Sequence, residues 1–454
     1  LLCYKICLKL SCTFEVSDGI LQRIKMNTIT SVYIKGLWGH QDINILLNGK
    51  TNFIIGVNGT GKTTLINLLA AALTFDYEKL LRIEFESIII RLKEIGGSRR
   101  PSIRVTKDVL SSDDSLIYEI KTAAKEQPII IPFDARFDRV YIETKDGGRV
   151  VSRRRTSNQE AHGLNEISIV LKDLIKVSWL SVNRADNLYS RDIDKRALST
   201  IDHKIIELNN NLVRYFSVLS QQFSDHTIEF QKKSFLALIN NEGANPIFQF
   251  SSTIDIDQER KTLVEVFDVL GVDNKHYLKK LNEHFSRLEK VKKRDNLKSI
   301  SVDDFSVIYN SWRAHTLVAD YEILQTKKSS IFKSRDNFIS LLNSMFNGRK
   351  KFSVSDKNEL VVTTKDGRLI GLEELSSGEK QLLIILGETL LQHSQHVIYI
   401  ADEPELSLHV IWQEQLIGAI TKLNPNAQII FATHSPDIVG FEQDAVIDME
   451  DLVS

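Results

Sequence analysis

The chain has 454 residues, of which 42% are hydrophobic and 26% charged, with a formal net charge of −1 at pH 7. That is enough apolar material for two or three domains with proper cores, and the charge balance excludes a strong global field toward nucleic acid or a membrane surface, so any such partner has to meet a local patch. No run of eighteen or more apolar residues occurs, which argues against a transmembrane span, and the only cysteines, Cys3, Cys7 and Cys12, argue against a secreted disulfide framework and for a reducing cytosol.

Residues 1–26 have no small-residue cleavage site after their apolar stretch, and Met26 is the first methionine, so this segment is expected to be an extension outside the fold. From Ser31 onward, β-branched apolar runs bounded by Gly and Asn predict strands up to Ile55. Residues 62–73 are strong helix formers without a breaker. Strand-like runs return over 84–155, with a hairpin expected at Asp146, Gly147 and Gly148. These pieces form an N-terminal lobe over 27–159. Residues 160–346 change character: Ile205, Leu208, Leu212, Tyr215 and Leu219, and then Leu278, Leu281, Phe285 and Leu288, keep helical spacing for about two heptads each, which predicts a compact helical insertion rather than a long rod. Residues 347–454 resume the strand–helix alternation as a C-terminal lobe.

The chemistry is concentrated in two distant stretches. Gly56, Val57, Asn58, Gly59, Thr60, Gly61, Lys62 and Thr63 fit the phosphate-loop pattern between a strand and a helix, with Thr64 next in line. Glycines let backbone N–H groups turn inward around phosphates at the positive end of a helix. Lys62 is placed to reach the β- and γ-phosphates, and the Thr63 hydroxyl to ligate Mg2+. Far downstream, residues 397–401 form an apolar run that reads as a buried parallel strand. It ends in Asp402 and Glu403, at the edge of an α/β sheet where ligands bind. Asp402 is expected to hold Mg2+ through water and Glu403 to act as general base on the attacking water. An ion-paired strand end is the plainer alternative, but it gives no account of the upstream phosphate loop. Residues 428–433 read as a further core strand delivering His434 toward the γ-phosphate or the water.

Three segments carry a family resemblance: Leu375, Ser376, Ser377, Gly378, Glu379, Lys380, Gln381; the run from Asp402 to His409; and the run from Ala432 to Pro436. The first resembles the signature motif of ABC-type ATPases, the second the Walker B and D-loop of their OLD, RecF and SMC branch, and the third that branch's switch-histidine strand. Within the branch, the length and helical middle resemble the ATPase subunit of Septu-type antiviral systems, including the retron-associated versions. The fold implied is α/β, an ABC-type P-loop ATPase head assembled from N- and C-terminal parts with a mainly helical insertion. The activity implied is ATP hydrolysis with ATP and Mg2+, in a homodimer or higher oligomer where Ser376 and Gly378 of one chain meet the γ-phosphate held by another. Ser377 departs from the common glycine there, which weakens the case for close backbone approach. The family's Mg2+-sensing glutamine has no clear counterpart, Gln127 and Gln159 being weak candidates.

The resemblance further implies a cytoplasmic regulatory subunit of antiviral defence, working with a separate HNH-type effector nuclease and with a reverse transcriptase and nucleic acid as further partners, and not with a membrane. A DNA-repair ATPase of the RecF or SMC kind that grips DNA itself is the alternative, and a transporter motor is disfavoured by the insertion. Only twenty residues follow His434, so no nuclease activity is expected from this chain. His393 and His396 read as a solvated helix end rather than metal ligands. Three basic clusters, Arg153 to Arg155, Lys290 to Arg294, and Arg349 to Lys351, read either as solvated faces or as phosphate-backbone contacts.

Overall fold

The computed structural model describes residues 26–107, 115–134, 139–143, 149–152, 162–180, 199–237, 255–269, 271–293, 301–392, 394–440 and 442–453. The three cysteines, the hairpin tip at Asp146 to Gly148, Arg153 to Arg155, Gln159, Arg294 and His393 lie outside the described residues. The chain divides into two compact units. The first comprises residues 1–182, 395–406 and 426–454, and the second residues 183–394 and 407–425.

The first unit is built on two sheets. One is antiparallel, of eight strands in the order β2-β1-β4-β5-β6-β7-β8-β9, running from β1 (Asn27–Leu37) and β2 (Gln41–Leu46) through β4 (Ser87–Glu94), β5 (Ser102–Lys107), β6 (Ser115–Lys121) and β7 (Ile129–Asp134) to the pair β8 (Arg139–Glu143) and β9 (Arg149–Ser152). In β6 buried residues alternate with half-buried ones, because one face packs on the core and the other turns outward. The other sheet is parallel, in the order β10-β14-β15-β3-β16. It joins β3 (Thr51–Ile55) from the N-terminal part to β14 (Ile398–Asp402), β15 (Gln428–Ala432) and β16 (Val446–Asp448) from the C-terminal part, with β10 (Val177–Leu180) beside β14. Every residue of β15 is buried, as are the first four of β14. Both faces of a parallel sheet are covered, which is why these strands are continuous apolar runs.

Helix α1 (Lys62–Thr74) is apolar nearly all round, and its side chains share one core with residues of both sheets. The Tyr118 hydroxyl on β6 donates to the Ala72 carbonyl at 3.2 Å. A short helix, α2 (Tyr77–Arg82), follows, and α3 (His162–Leu174) adds Ile167, Leu171 and Leu174 to the same core. Two buried amides fix the sheets in register. Gln428 accepts from the Ile29 N–H at 2.9 Å and donates to the Ile29 and Asn48 carbonyls, and Asn52 donates to the Ile429 carbonyl at 3.2 Å. In this register Asp402 lies opposite Ala432, and Ala432 opposite Ile54, so three strands end level at one edge. The expected α/β architecture, with N- and C-terminal strands in one sheet, is what the chain forms.

The second unit is mostly helical. It contains α4 (Thr200–Leu236), α5 (Ile256–Val269), α6 (Asn274–Lys292), α7 (Val302–Met345), α8 (Ser377–Leu391), α9 (Val410–Leu423) and a small antiparallel sheet of β11 (Lys350–Val354), β12 (Leu360–Thr364) and β13 (Leu369–Ile370). Helices α4 and α7 have 37 and 44 residues, roughly 55 and 66 Å at 1.5 Å per residue. They are far longer than the two-heptad runs in the sequence suggest. Ring pairs such as Phe223 with Phe332 and Phe230 with Tyr321 join them at irregular spacing, so no sustained heptad is present to announce their length. Tyr277, Leu281, Phe285 and Leu288 of α6 form a core with Leu263 of α5 and Val318 of α7. Among the described residues no helix is long and apolar enough to cross a membrane.

Candidate active site

The phosphate loop connects β3 to α1. Gly56, Gly59 and Gly61 take φ of 143°, 92° and 90°, values that side chains avoid, and Gly61 is the residue that opens α1. The backbone thereby presents the N-terminal N–H groups of α1 to the space above the sheet. Lys62 is buried, and its ammonium folds back on the loop to donate to the carbonyls of Gly56 (2.8 Å) and Val57 (3.1 Å). Thr60 closes the loop by donating from its hydroxyl to the Val57 carbonyl at 2.9 Å.

The level strand ends bring the downstream residues to the loop. The Thr63 hydroxyl donates to Asp402 Oδ1 at 3.1 Å across 339 positions of sequence. A hydroxyl and a carboxylate placed together at a phosphate loop are hard oxygen donors of the kind Mg2+ takes, so the residues present fit that ion. Glu403 leaves the strand with φ 52°, a left-handed conformation that costs a non-glycine residue about 1–3 kcal/mol. Its N–H is bonded to the Ala432 carbonyl at 2.8 Å, which holds the turn. His434 Nε2 stands 3.3 Å from Glu403 Oε1.

Asn58, Gly59, Gly61, Lys62, Thr63, Thr64, Glu403 and His434 line one open cleft of about 820 Å3, together with Trp38 and Leu406. This volume suits a nucleotide-sized ligand. Burial is the main reason the Glu403 carboxyl is pushed up to about 8, with the contact and charge of Glu405 and the charge of Asp402 adding to it and Lys62 opposing.

Three residues of the site carry little signal in the sequence. Trp38 lies in the turn between β1 and β2, and its indole sits where a Cβ on Gly61 would fall, 2.0 Å from the ring. Its one sequence signal is the flanking pair Gly36 and Gly39. Glu405 was visible only as part of the Asp402 to His409 run; it is 6% exposed and holds Thr433 and His434. Thr433 was seen only as a strand residue.

Other sequence candidates lie elsewhere. Gln127 is exposed in the connection between β6 and β7 and does not line the cleft. Ser376 and Gly378 belong to the second unit. Ser376 caps α8, its hydroxyl accepting from the Glu379 N–H while its own N–H donates to Glu379 at 2.8 Å. Gly378 is required where it stands, since a Cβ there would meet the Ser407 carbonyl oxygen at 2.2 Å. His396 is buried, not solvated, and burial lowers its pKa. His396 lies two residues before the buried strand β14. In the basic clusters, Lys350 is paired with Glu379 at 2.6 Å, and Lys290, Lys292 and Lys293 are exposed at the C-terminal end of α6.

Comparison with known proteins gives the geometry its family. The AAA ATPase domain family matches residues 28–439. Septu protein PtuA of Bacillus thuringiensis is 30% identical over 162 residues, 32% of this chain and 39% of that protein. Retron Vc95 probable ATPase of Vibrio cholerae is 30% identical over 128 residues, 26% and 24% of the two chains. Retron Ec83 probable ATPase of Escherichia coli is 22% identical over 437 residues, 90% of this chain and 69% of that one. The chain thus spans well under half the length of the first two relatives. The resemblance to Septu and retron ATPases drawn from the motifs is borne out by them. Among solved structures, the Smc head domain of Pyrococcus furiosus, with an extended coiled coil and bound to the C-terminal domain of ScpA, is similar over 93% of each chain at 13% identity and a TM-score of 0.41, too slight a likeness to carry an argument. The family match spans nearly the whole described chain: the protein belongs to the AAA ATPase domain family.

Proposed function

We propose that this ATPase is the nucleotide-driven regulatory subunit of a bacterial antiviral defence system and acts through a separate effector nuclease of HNH type, with a reverse transcriptase and its nucleic acid as further partners in retron-associated versions. The observation that carries this reading is that the three relatives described above are all Septu or retron proteins. It is supported by a cleft that pairs the phosphate loop with two strand ends from the far half of the sequence.

In this reading the loop N–H groups and Lys62 bind the β- and γ-phosphates of ATP, which requires the Lys62 ammonium to leave the Gly56 and Val57 carbonyls. Thr63 and Asp402 hold Mg2+, which when bound neutralises phosphate charge and draws the Glu403 carboxyl back toward ionisation. Glu403 takes the proton of the attacking water, and His434 orients it. Ser376 and Gly378 serve the site of a second chain, so that nucleotide binding stabilises a closed dimer and hydrolysis releases it, the differential contacts of the γ-phosphate biasing two states.

The test is plaque formation on cells carrying this gene with its genomic neighbours. Protection by the wild type and its loss in Lys62→Ala, together with loss of nucleotide binding by the purified variant, is the expected outcome. Protection that survives Lys62→Ala overturns the reading. So does an absence of protection combined with tight DNA binding by the purified ATPase alone, which would favour a DNA-maintenance role.

A further inference from the structure

Glu405 is a buried acid for which the reaction as described above has no use. It sits in the turn after β14, with Pro404 between it and Glu403, and the Leu406 N–H closes that turn on the Glu403 carbonyl at 3.2 Å. Its Oε1 accepts two hydrogen bonds from the end of β15, one from the Thr433 hydroxyl and one from the His434 N–H at 3.0 Å. The Thr433 oxygen in turn accepts from the Ser435 N–H at 2.9 Å, so this hydroxyl is fully engaged. The second oxygen, Oε2, is buried and receives no hydrogen bond from a described N–H or hydroxyl, and the carboxyl stands against that of Glu403.

Burying a carboxylate is costly, and a neutral side chain of like volume would fill the same space without that cost. What a neutral aliphatic group could not do is gather two donors from a neighbouring strand onto one atom. These contacts form a ring: from Glu403 through Pro404 to Glu405, by a hydrogen bond to the His434 backbone, out along its imidazole, and by a 3.3 Å approach of Nε2 back to Glu403 Oε1. The ring also holds Glu403 in its left-handed conformation, which an untethered glutamate would tend to leave.

We propose that Glu405 is a positioning residue for hydrolysis, tethering the turn that carries Glu403 to the strand end that carries His434 so that the two side chains are held at one point of the cleft. This inference rests on the reading of Glu403 as the base. Glu405 touches neither nucleotide nor water; it acts through the other two residues.

The consequence separates chemistry from binding. Glu405→Ala is expected to lower kcat by roughly 10- to 100-fold, the scale set by misplacing a reacting group by about an ångström, with ATP affinity unchanged because the phosphate loop is untouched. Glu405→Gln keeps an oxygen able to accept both donors and should recover most of the turnover lost in the alanine variant. In a His434→Ala background, Glu405→Ala should cost less than it does in the wild type, since one of the two side chains that the tether aligns is gone. Wild-type kcat in Glu405→Ala, equal losses in the alanine and glutamine variants, or full additivity with His434→Ala each overturns the proposal. Glu403→Gln is measured alongside: if it hydrolyses ATP at the wild-type rate, the assignment of the base has failed, whereas an inactive Glu403→Gln beside a fully active Glu405→Ala refutes the tether alone. Should Glu405→Ala not fold, Thr433→Val removes one tether and Thr433→Ser restores it. A fall in kcat in the first with recovery in the second supports the proposal, and equal turnover in both overturns it.

Discussion

The two units of this chain use glycine and burial for opposite purposes. In the first, Gly61 is glycine because of the backbone angle it must adopt, φ 90°, at the mouth of an open cleft. In the second, Gly378 sits within ordinary helical geometry at the start of α8, and only the nearness of the Ser407 carbonyl forbids a side chain. The parallel sheet of the first unit buries its central strands β14 and β15 almost completely and brings polar groups to one edge. The two long helices of the second bury a minority of their residues; α4, with 37 residues, buries Ile205, Leu208, Leu212, Phe216 and Leu219 and leaves most of the rest to solvent. A site for chemistry requires groups fixed by covered strands, whereas a long helix pair needs only a seam, and its remaining surface is open to partners.

The contrast can be broken most decisively at Glu403. Glu403→Gln is expected to cut ATP turnover by about 10^2- to 10^4-fold, the usual contribution of a general base, with nucleotide binding retained; a single-turnover assay with labelled ATP measures it, and turnover at the wild-type rate would place the chemistry elsewhere. A smaller effect is expected at Gly378. A methyl group there meets a backbone carbonyl at 2.2 Å, so Gly378→Ala should destabilise the second unit by about 1–3 kcal/mol, as overpacking generally does. Chemical denaturation reads the loss, and a variant as stable as the wild type would mean that the contact yields freely. The smallest effect is one of pH. The Glu403 carboxyl titrates near 8 when folded, against an ordinary glutamate value of 4.5. Between these values the folded chain holds a proton that the unfolded chain has lost, so this group's contribution to stability declines as pH rises through the interval. Glu403→Gln should therefore melt above the wild type at pH 8 without nucleotide, and the difference should close toward pH 5. A gap that widens toward acid would reverse the assigned direction.

Much of this was legible in the sequence, for identifiable reasons. The phosphate loop is contiguous, and its glycines report backbone angles directly. Strands β14 and β15 are buried on both faces, so their apolar runs are continuous, and the residues that follow them inherit a defined edge. What was not legible depends on neighbours distant in sequence. Glu405 is unremarkable until Thr433 and His434 are seen to converge on it. Trp38 matters because its ring lies on Gly61. His396 looked solvated because a helix precedes it, and is buried because β14 begins two residues later. Strand β10 is only four residues long, bracketed by no turn signal, and is defined by its pairing with β14. The lengths of α4 and α7 were hidden because aromatic pairs, not a regular heptad, join them.

The hydrogen bond from Asn52 to Ile429 crosses 377 residues, and that separation has a consequence for how the protein is made. Strand β3 leaves the ribosome early, but its neighbour β15 follows only after roughly 20–75 s at ordinary rates of synthesis. During that interval Phe53, Ile54 and the apolar surface of α1 have no finished sheet to cover them. The early apolar surface thus waits through most of translation for its covering strand, and a molecule truncated before β15 carries the complete phosphate-loop motif but has neither Thr433 nor His434.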